Sequence, residues 1–270
     1  MSEISKPQAT PGKMHASKEN GIGWMIYDQQ AKYNAVTYDM RRAIPGIMAD
    51  FEADDEIRVV VISGAGEKAF ISGSDISQFG EKRSSEEARR TYDEASEMAN
   101  LAMRNFSKPM VGMINGFCLG AGVLTAMLCD FRIAAENAQF GAPPAKLGLG
   151  FGYSGVDDLV KLVGPAYAAE ILFTGNRYDA VDALKMGLVN RVVPYEELRE
   201  TVREVAATIA ANAPLTLKSI KTSIGNSQLD QRARDMKTVQ DQIDACFASE
   251  DYKEGREAFM EKRKPVFIGK

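Results

Sequence analysis

The residues best suited to chemistry lie in a glycine-rich turn, Gly-Ala-Gly at residues 120–122. Apolar runs before and after this turn, over residues 109–130, predict a strand, a tight turn and a buried helix. Free N–H groups at the helix start, with the positive end of the helix dipole, favour an oxygen that carries negative charge. We interpret the turn as half of an oxyanion hole. The alternative is a glycine-rich turn that only packs a helix tightly on a sheet.

Other residue types argue against several common mechanisms. His15 is the only histidine and lies in a polar segment without a nucleophile pattern, which disfavours Ser-His-Asp and Cys-His catalysis and a His-rich metal site. Cys118, Cys129 and Cys246 are isolated in apolar surroundings and predict buried free thiols rather than disulfides or metal ligands. We expect no metal site, and the free thiols fit a reducing cytoplasm.

The composition is that of an ordinary globular protein with one to two domains. Of the 270 residues, 45% are hydrophobic and 26% are charged. The net charge of -4 offers no basic field for nucleic acid or an anionic membrane. The first ten residues lack a signal-peptide pattern, and no apolar stretch approaches the roughly 18 residues that span a bilayer. The sequence therefore predicts a cytoplasmic protein without a nucleic-acid or membrane partner.

The elements that position the glycine-rich turn follow an α/β order. We expect a strand at 22–27, a helix at 37–51 with Thr37 as N-cap, and a doubly buried strand at 57–63. A charged amphipathic helix is predicted for residues 85–106. We divide the chain into an N-terminal tail at 1–20, an α/β core at 21–193 and a mostly helical C-terminal region at 194–270.

A set of short motifs in a fixed order gives the chain a family resemblance. The motifs are Asn34-Ala35, FISGSDI at 70–76, INGFCLGAG at 114–122, LCD at 128–130, QFG at 139–141, LFTG at 172–175 and ALKMGLVNRVV at 183–193. Each motif alone is a weak signal. Their ordered set resembles the enoyl-CoA hydratase/isomerase, or crotonase, superfamily, from the first strand to the basic tail.

This resemblance implies a fold, a substrate class and an assembly. The fold is α/β, a crotonase-like β-β-α spiral core with a C-terminal helical trimerisation region, assembled as a homotrimer or a dimer of trimers. The substrate is an acyl-CoA thioester, so that coenzyme A is part of the substrate and no separate cofactor is expected. By motif position, the backbone N–H groups of Ser74 and Ala121 polarise the thioester carbonyl, in agreement with the interpretation of the glycine-rich turn.

The resemblance also implies where coenzyme A binds. The residues of the turn and loop that match the family's adenine and pantetheine cradle are Lys32, Asn34, Ala35, Ser72, Gly73, Asp75 and Ile76. Lys32 is also a candidate phosphate contact. Lys262, in the basic EKRK tail, resembles a position that reaches the nucleotide phosphate of a neighbouring subunit, and a solvated charge run is the alternative.

The chain departs from the hydratase pattern at two catalytic positions. In hydratases, one glutamate after the glycines of the central helix and a second after the QFG motif hold and activate the water. Here these positions are Leu124 and Pro144, and residues 140–155 contain no Asp, Glu or His. General acid–base catalysis contributes about a hundred- to ten-thousandfold, so standard hydration should be severely impaired.

Other polar residues are candidate proton carriers. Tyr153 and Ser154 lie in a glycine-rich loop at 148–155, with ordinary loop packing as the alternative. Weaker candidates are the hydroxyl of Ser74, Asp157 and Asp158 at the next helix start, and Tyr92 and Glu94. Isomerase, decarboxylase or C–C lyase chemistry then ranks above hydration, although a tyrosine expected in decarboxylase members corresponds to Phe151. The alternatives are a hydratase with a displaced acid/base and a catalytically silent acyl-CoA-binding homologue.

Overall fold

The computed structural model describes residues 12–78, 80 and 85–270, and these contain two β-sheets. In spatial order, the strands of the larger sheet are β1 (Lys13–Glu19), β2 (Ile22–Asp28), β3 (Val59–Gly64), β5 (Met110–Ile114), β7 (Phe131–Ala135) and β10 (Arg191–Val193). Those of the smaller sheet are β4 (Ala69–Ile71), β6 (Phe117–Leu119), β8 (Gln139–Gly141) and β9 (Tyr178–Asp179). Neighbouring strands are parallel except for the antiparallel pairs β1–β2 and β8–β9.

The helices connect these strands and form the C-terminal region. They are α1 (Tyr38–Ala53), α2 (Glu86–Arg104), α3 (Ala121–Met127), α4 (Tyr153–Thr174), α5 (Ala180–Met186), α6 (Tyr195–Ala210), α7 (Pro214–Ser227), α8 (Met236–Ala248) and α9 (Glu250–Glu261). Thr37 caps α1 as predicted, since its hydroxyl accepts a 3.1 Å hydrogen bond from the Met40 N–H. Within α4 the backbone leaves the helical conformation at Gly164 (φ 78°), immediately before Pro165.

The central strands of the larger sheet are covered on both faces. Every residue of β3 and β5 is buried, as a β-branched or apolar run between parallel neighbours requires. Alternate residues of these strands enter two different cores, because successive side chains of a strand point to opposite faces. Val60 and Ile62 face the larger core, whereas Val59 and Val61 face a smaller core covered by α6.

The smaller core contains Trp24, the only tryptophan of the chain. Its side chain is almost fully buried, and the guanidinium groups of Arg199 and Arg203 lie 5.3 and 5.7 Å from its ring centroid. Both arginines belong to α6. Stacked cations over an indole ring add to the apolar contacts that hold α6 on the sheet.

The C-terminal region is tied to the core by an ion pair. Lys221 of α7 donates hydrogen bonds to the Asp130 carboxylate at 2.9 Å and to the Lys108 carbonyl at 2.8 Å. The same Asp130 oxygen accepts a bond from the Met110 N–H at the start of β5. Among the described helices, none combines the length and the apolar character needed to cross a bilayer.

The prediction of an N-terminal tail over residues 1–20 is wrong for its second half. Lys13–Glu19 forms strand β1, which pairs with β2 so that Glu19 stands opposite Ile22. Asn20 and Gly21, with φ angles of 50° and 79°, make the two-residue turn of a β-hairpin. The polar side chains of β1 are largely exposed because it is an edge strand. Residues 1–11 of the predicted tail lie outside the described residues.

The smaller sheet contains a strand that the sequence analysis did not predict. After the turn at Asn115-Gly116, residues Phe117–Leu119 form β6 before the glycine-rich turn begins. Cys118 within β6 and Cys129 beyond α3 are buried free thiols, as predicted, while Cys246 is a free thiol that is only partly buried. Burial raises the pKa of Cys129 to about 12, so its thiol stays protonated at neutral pH.

Candidate functional site

Two distant segments meet beside the glycine-rich turn. Strands β4 and β6 are parallel neighbours, with Ile71 opposite Cys118. Because parallel strands end at the same edge of a sheet, the residues that follow them, including Ser74 and Ala121, emerge side by side. The approach is close, since a methyl group placed on Gly120 would lie 3.8 Å from the Gly73 Cα atom.

A glycine with positive φ precedes each of the two predicted donor residues. Gly73 (φ 130°) precedes Ser74, and Gly120 (φ 53°, ψ -109°) precedes Ala121. L-residues with side chains rarely adopt such conformations, so both turns depend on glycine. The two glycines therefore fix the peptide planes that carry the N–H groups of Ser74 and Ala121.

The local hydrogen bonds keep these N–H groups out of regular pairing. Ala121 is the first residue of α3, where an N–H has no acceptor inside the helix. The bridge between Val36 and Ser74 uses other groups: the Val36 N–H donates to the Gly73 carbonyl, and the Asp75 N–H donates to the Val36 carbonyl. Since α3 has only seven residues, its summed dipole is small, and the N–H group itself is the main feature of this helix start.

Leu124 and Pro144, where the family resemblance leads us to expect glutamate, have an apolar role and a position before a short turn, respectively. Leu124 of α3 packs against the first turn of α4, and its Cδ2 atom lies 2.8 Å from the point where a Cβ atom on Gly155 would stand. The Phe151 ring lies 3.1 Å from the same point. Pro144 precedes the short 3-10 turn Ala145–Leu147. Neither Leu124 nor Pro144 can exchange a proton.

The candidate proton carriers of the glycine-rich loop are on the surface. Tyr153 is the first residue of α4 and is 82% exposed, and Ser154 is also exposed. An acid or base at this level of exposure is solvated in the single chain. The roles of Tyr153 and Ser154 as proton carriers stay predictions.

Two acids in the second turn of α4 are engaged in ion pairs. Asp157 accepts a 2.7 Å hydrogen bond from Lys161 one turn later, and Asp158 pairs with Arg104 of α2. The sequence analysis placed both residues at the helix start, but α4 begins at Tyr153 and its first turn contains no acid. The ion pairs give both carboxylates a partner on the helix surface.

Asn34, one of the predicted coenzyme A contacts, has an internal role. Its side chain is buried, donates to the carbonyls of Ala65 and Ala69 at 2.9 and 2.7 Å, and accepts from the Gln29 N–H at 3.0 Å. The neighbouring Ala35 is also buried. Asn34 therefore fixes the shape of the turn rather than presenting its amide to a ligand.

Lys32 and Asp75, two further predicted contacts, bind each other. The Lys32 ammonium donates to both oxygens of the buried Asp75 carboxylate, at 3.1 and 2.9 Å, and Ser77 and Gln29 donate to the same carboxylate. Burial raises the pKa of this carboxyl, but the hydrogen bonds from Lys32, Ser77 and Gln29 outweigh it and hold the pKa below its ordinary value of 3.8. A phosphate at Lys32 would share the ammonium with Asp75.

The remaining predicted contacts differ in exposure. Ser72 donates its hydroxyl to the Lys32 carbonyl at 3.1 Å, which joins the loop to the turn. Ile76 is 67% exposed, and Lys262, in the left-handed conformation that ends α9, is exposed as well. Ile76, Lys262 and Lys32, whose side chain is 41% exposed, are thus the predicted contacts most available to a ligand.

Substituting Asp75 by Asn tests the turn that Lys32 and Asp75 hold together. We expect Asp75→Asn to lower the free energy of unfolding at pH 7 by about 1 to 3 kcal/mol, because a buried charge-assisted network is lost. Since the folded-state pKa of Asp75 is depressed, its stabilisation is full above the unfolded pKa and is lost as the pH falls through the folded value. The difference between wild type and variant should therefore shrink at pH 3.

Urea denaturation of both proteins at pH 7 and pH 3 measures this difference. Asp55→Asn, at an exposed position just beyond α1, is the matched control and should change stability by less than about 0.5 kcal/mol. A difference between wild type and Asp75→Asn that stays constant across this pH range would contradict the assignment.

Arg41, which the sequence analysis did not select, lies beside Ser74. Its Nη2 atom donates a 2.8 Å hydrogen bond to the Ser74 hydroxyl, and its Nε atom donates a 3.3 Å bond to the hydroxyl of Tyr92, a buried residue of α2. One signal was available in the sequence. A positive charge near a helix N-terminus is unfavourable, and Arg41 occupies the second turn of α1.

Comparison with known proteins identifies the family. The family model described as enoyl-CoA hydratase/isomerase matches residues 17–270. The chain is 35% identical to the crotonyl-CoA hydratase of Syntrophomonas wolfei, over 94% of this chain and 96% of that protein. It is 36% identical to the carnitinyl-CoA dehydratase of Salmonella typhi, over 95% of this chain and 98% of that protein.

A solved structure shares the whole fold. The enoyl-CoA hydratase/carnithine racemase from Magnetospirillum magneticum superposes with a TM-score of 0.89 at 32% identity, over 95% of this chain and 96% of that one. The predicted crotonase-like α/β fold is thereby confirmed. The chain belongs to the enoyl-CoA hydratase/isomerase family of acyl-CoA enzymes.

Proposed function

We propose that this enzyme stabilises a thioester enolate with the backbone N–H groups of Ser74 and Ala121 and that its reaction differs from standard hydration. The observation that carries the proposal is the paired arrangement of these residues. Each follows a glycine with positive φ, on segments that run side by side. The family resemblance supports the second part of the proposal, because it aligns Leu124 and Pro144 with the glutamates of hydratases.

Backbone donors suit this chemistry because charge develops on the thioester oxygen during the reaction. Preorganised N–H groups bind an enolate oxygen more strongly than a neutral carbonyl and so lower the barrier. One such donor is worth about 2.7 to 4 kcal/mol in other enzymes. Since the donors are main-chain atoms, serine at position 74 leaves this function intact.

Isomerisation, decarboxylation and C–C bond cleavage form or consume an enolate without a glutamate pair, and we rank them above hydration for this reason. Hydration with a displaced acid or base is the second candidate, favoured by the similarity to a protein named crotonyl-CoA hydratase. A catalytically silent acyl-CoA-binding homologue is the third, favoured by the apolar packing of Leu124.

Coenzyme A would lie along the turn and loop that contain Lys32, Asn34, Ala35, Ser72, Gly73, Asp75 and Ile76, with Lys262 reaching a phosphate from a neighbouring copy. The internal bonds of Asn34 and Asp75 support a role in shaping this cradle. We also propose assembly as a homotrimer or a dimer of trimers in the cytoplasm. Exposed apolar side chains near the end of the C-terminal region support an association surface: Phe247, Phe259, Met260 and Val266.

Turnover of a substrate panel tests the proposed reaction class. With crotonyl-CoA, we expect hydration about a hundred- to ten-thousandfold slower than by the Syntrophomonas wolfei enzyme assayed alongside it, because the glutamate pair is replaced. A 3-enoyl-CoA or a substituted malonyl-CoA should be turned over faster than crotonyl-CoA. Rapid crotonyl-CoA hydration would support the displaced acid/base, and acyl-CoA binding without any turnover would support the silent homologue.

A further inference from the structure

Arg41 lies between Ser74, beside the proposed acyl site, and Tyr92 of α2. Besides donating to Ser74 and Tyr92, its guanidinium lies 5.3 Å from the centroid of the Tyr92 ring. Arg41 is therefore in direct contact with Ser74, which carries one of the two proposed donors.

Among the residues that the structure describes, no carboxylate neutralises the charge of Arg41. Both groups that accept its hydrogen bonds are neutral hydroxyls, and no carboxylate of the described residues forms an ion pair with it. Two of the five N–H donors of the guanidinium are used, so three remain for another acceptor. A partly buried cation with spare donors is unusual, because such a group is normally paired with an anion.

Ser74 adds a further donor at the same place. Its hydroxyl oxygen accepts from Arg41, which leaves the hydroxyl hydrogen to be donated elsewhere. The guanidinium fork and this hydroxyl match a carboxylate, which accepts several hydrogen bonds in one plane. An alkyl chain in the same place would desolvate the cation and return no hydrogen bond.

We propose that Arg41, with the Ser74 hydroxyl, selects acyl-CoA substrates whose acyl group carries a carboxylate. This inference rests on the proposed function, because it assumes that an acyl-CoA binds beside Ser74. It also narrows the set of reactions that the proposed function includes. A guanidinium that holds a carboxylate stabilises its charge in the ground state, which disfavours loss of that group as CO2. The selected carboxylate is therefore one that the reaction retains.

Two ligands with four-carbon acyl groups isolate the contribution of the carboxylate. Succinyl-CoA and butyryl-CoA differ only in whether the acyl chain ends in a carboxylate or a methyl group. Isothermal titration of the full chain gives both dissociation constants. We expect succinyl-CoA to bind the wild type about ten- to a hundredfold more tightly, the range of a charge-assisted hydrogen bond.

Variants at Arg41 separate recognition from a structural role. Arg41→Met should abolish the preference for succinyl-CoA and leave butyryl-CoA affinity nearly unchanged. Arg41→Lys should retain part of the preference, since it keeps the charge but not the planar fork. Arg42→Met, at the adjacent exposed position, should bind both ligands as the wild type does.

The outcomes distinguish this inference from the proposed function. Equal affinity of the wild type for the two ligands, or an Arg41→Met variant that weakens both equally, would overturn the selection of a carboxylate and leave the proposed function standing. If the wild type binds neither ligand, the proposed acyl-CoA site fails, and the role of Arg41 fails with it.

Discussion

Gly120→Ala should reduce turnover of the best substrate about a hundred- to a thousandfold. Gly120 has φ 53° and ψ -109°, a conformation that alanine avoids, so the peptide before Ala121 must rotate. The rotation turns the Ala121 N–H away from the thioester oxygen, and the loss of one such donor costs about this much in other enzymes. Steric exclusion is a minor factor, because the added methyl group would lie 3.8 Å from its nearest neighbour, the Gly73 Cα atom.

The measurement is kcat at saturating substrate for whichever panel member is turned over fastest, together with the acyl-CoA dissociation constant. The dissociation constant should change much less than kcat, because the donor acts mainly on developing charge. Gly225→Ala in α7 is the matched control, since nothing lies within 4 Å of its added methyl group. A kcat close to that of the wild type would show that Ala121 N–H is not a catalytic donor.

Gly122→Ala should act on stability instead, lowering the free energy of unfolding by about 3 kcal/mol. A Cβ atom on Gly122 would lie 2.2 Å from the Ile71 carbonyl oxygen. The backbone of α3 fixes the position of this Cβ atom, and the oxygen belongs to the backbone of β4. No rotatable side chain can therefore move to relieve the clash. The strand or the helix must shift, so the loss of stability should lie at the upper end of the range for overpacking substitutions.

Denaturation in urea measures the effect, with Gly46→Ala as the control. Gly46 is inside α1 and has nothing within 4 Å of an added methyl group, so alanine there should raise stability by about 0.5 to 1 kcal/mol. If Gly122→Ala lost no more than about 0.5 kcal/mol, the contact between α3 and β4 would be looser than the structure indicates.

The elements that the sequence predicted correctly are those with local signals. Thr37 caps α1 through its own hydroxyl, and the β-branched run of β3 matches a strand buried on both faces. Strand β1 was missed because its residues are polar, although the dipeptide Asn20-Gly21 is a strong hairpin signal. Strand β6 has three residues, which is too short for any periodicity to appear.

The residues of the candidate site also differ in whether local sequence could predict them. The glycines of the donor turns could be predicted, since a required backbone conformation leaves a mark in the local sequence. For Arg41 the sequence offered only its unfavourable charge near the start of α1, and no local pattern could show its contact with Ser74, because the two positions are 33 residues apart. Similarly, Lys32 pairs with Asp75, which is 43 residues away. The motifs suggested both residues as ligand contacts, and their mutual pairing could not be predicted from either motif.

The burial of Trp24 has a practical consequence for spectroscopy. Because the chain has one tryptophan, emission excited selectively through tryptophan comes from a single place, the layer between the larger sheet and α6. Circular dichroism averages over all helices, whereas this emission follows only the separation of α6 from the sheet. Coincidence of the two signals during denaturation would indicate that both cores melt as one cooperative unit, and a gap between them would reveal an intermediate with α6 detached.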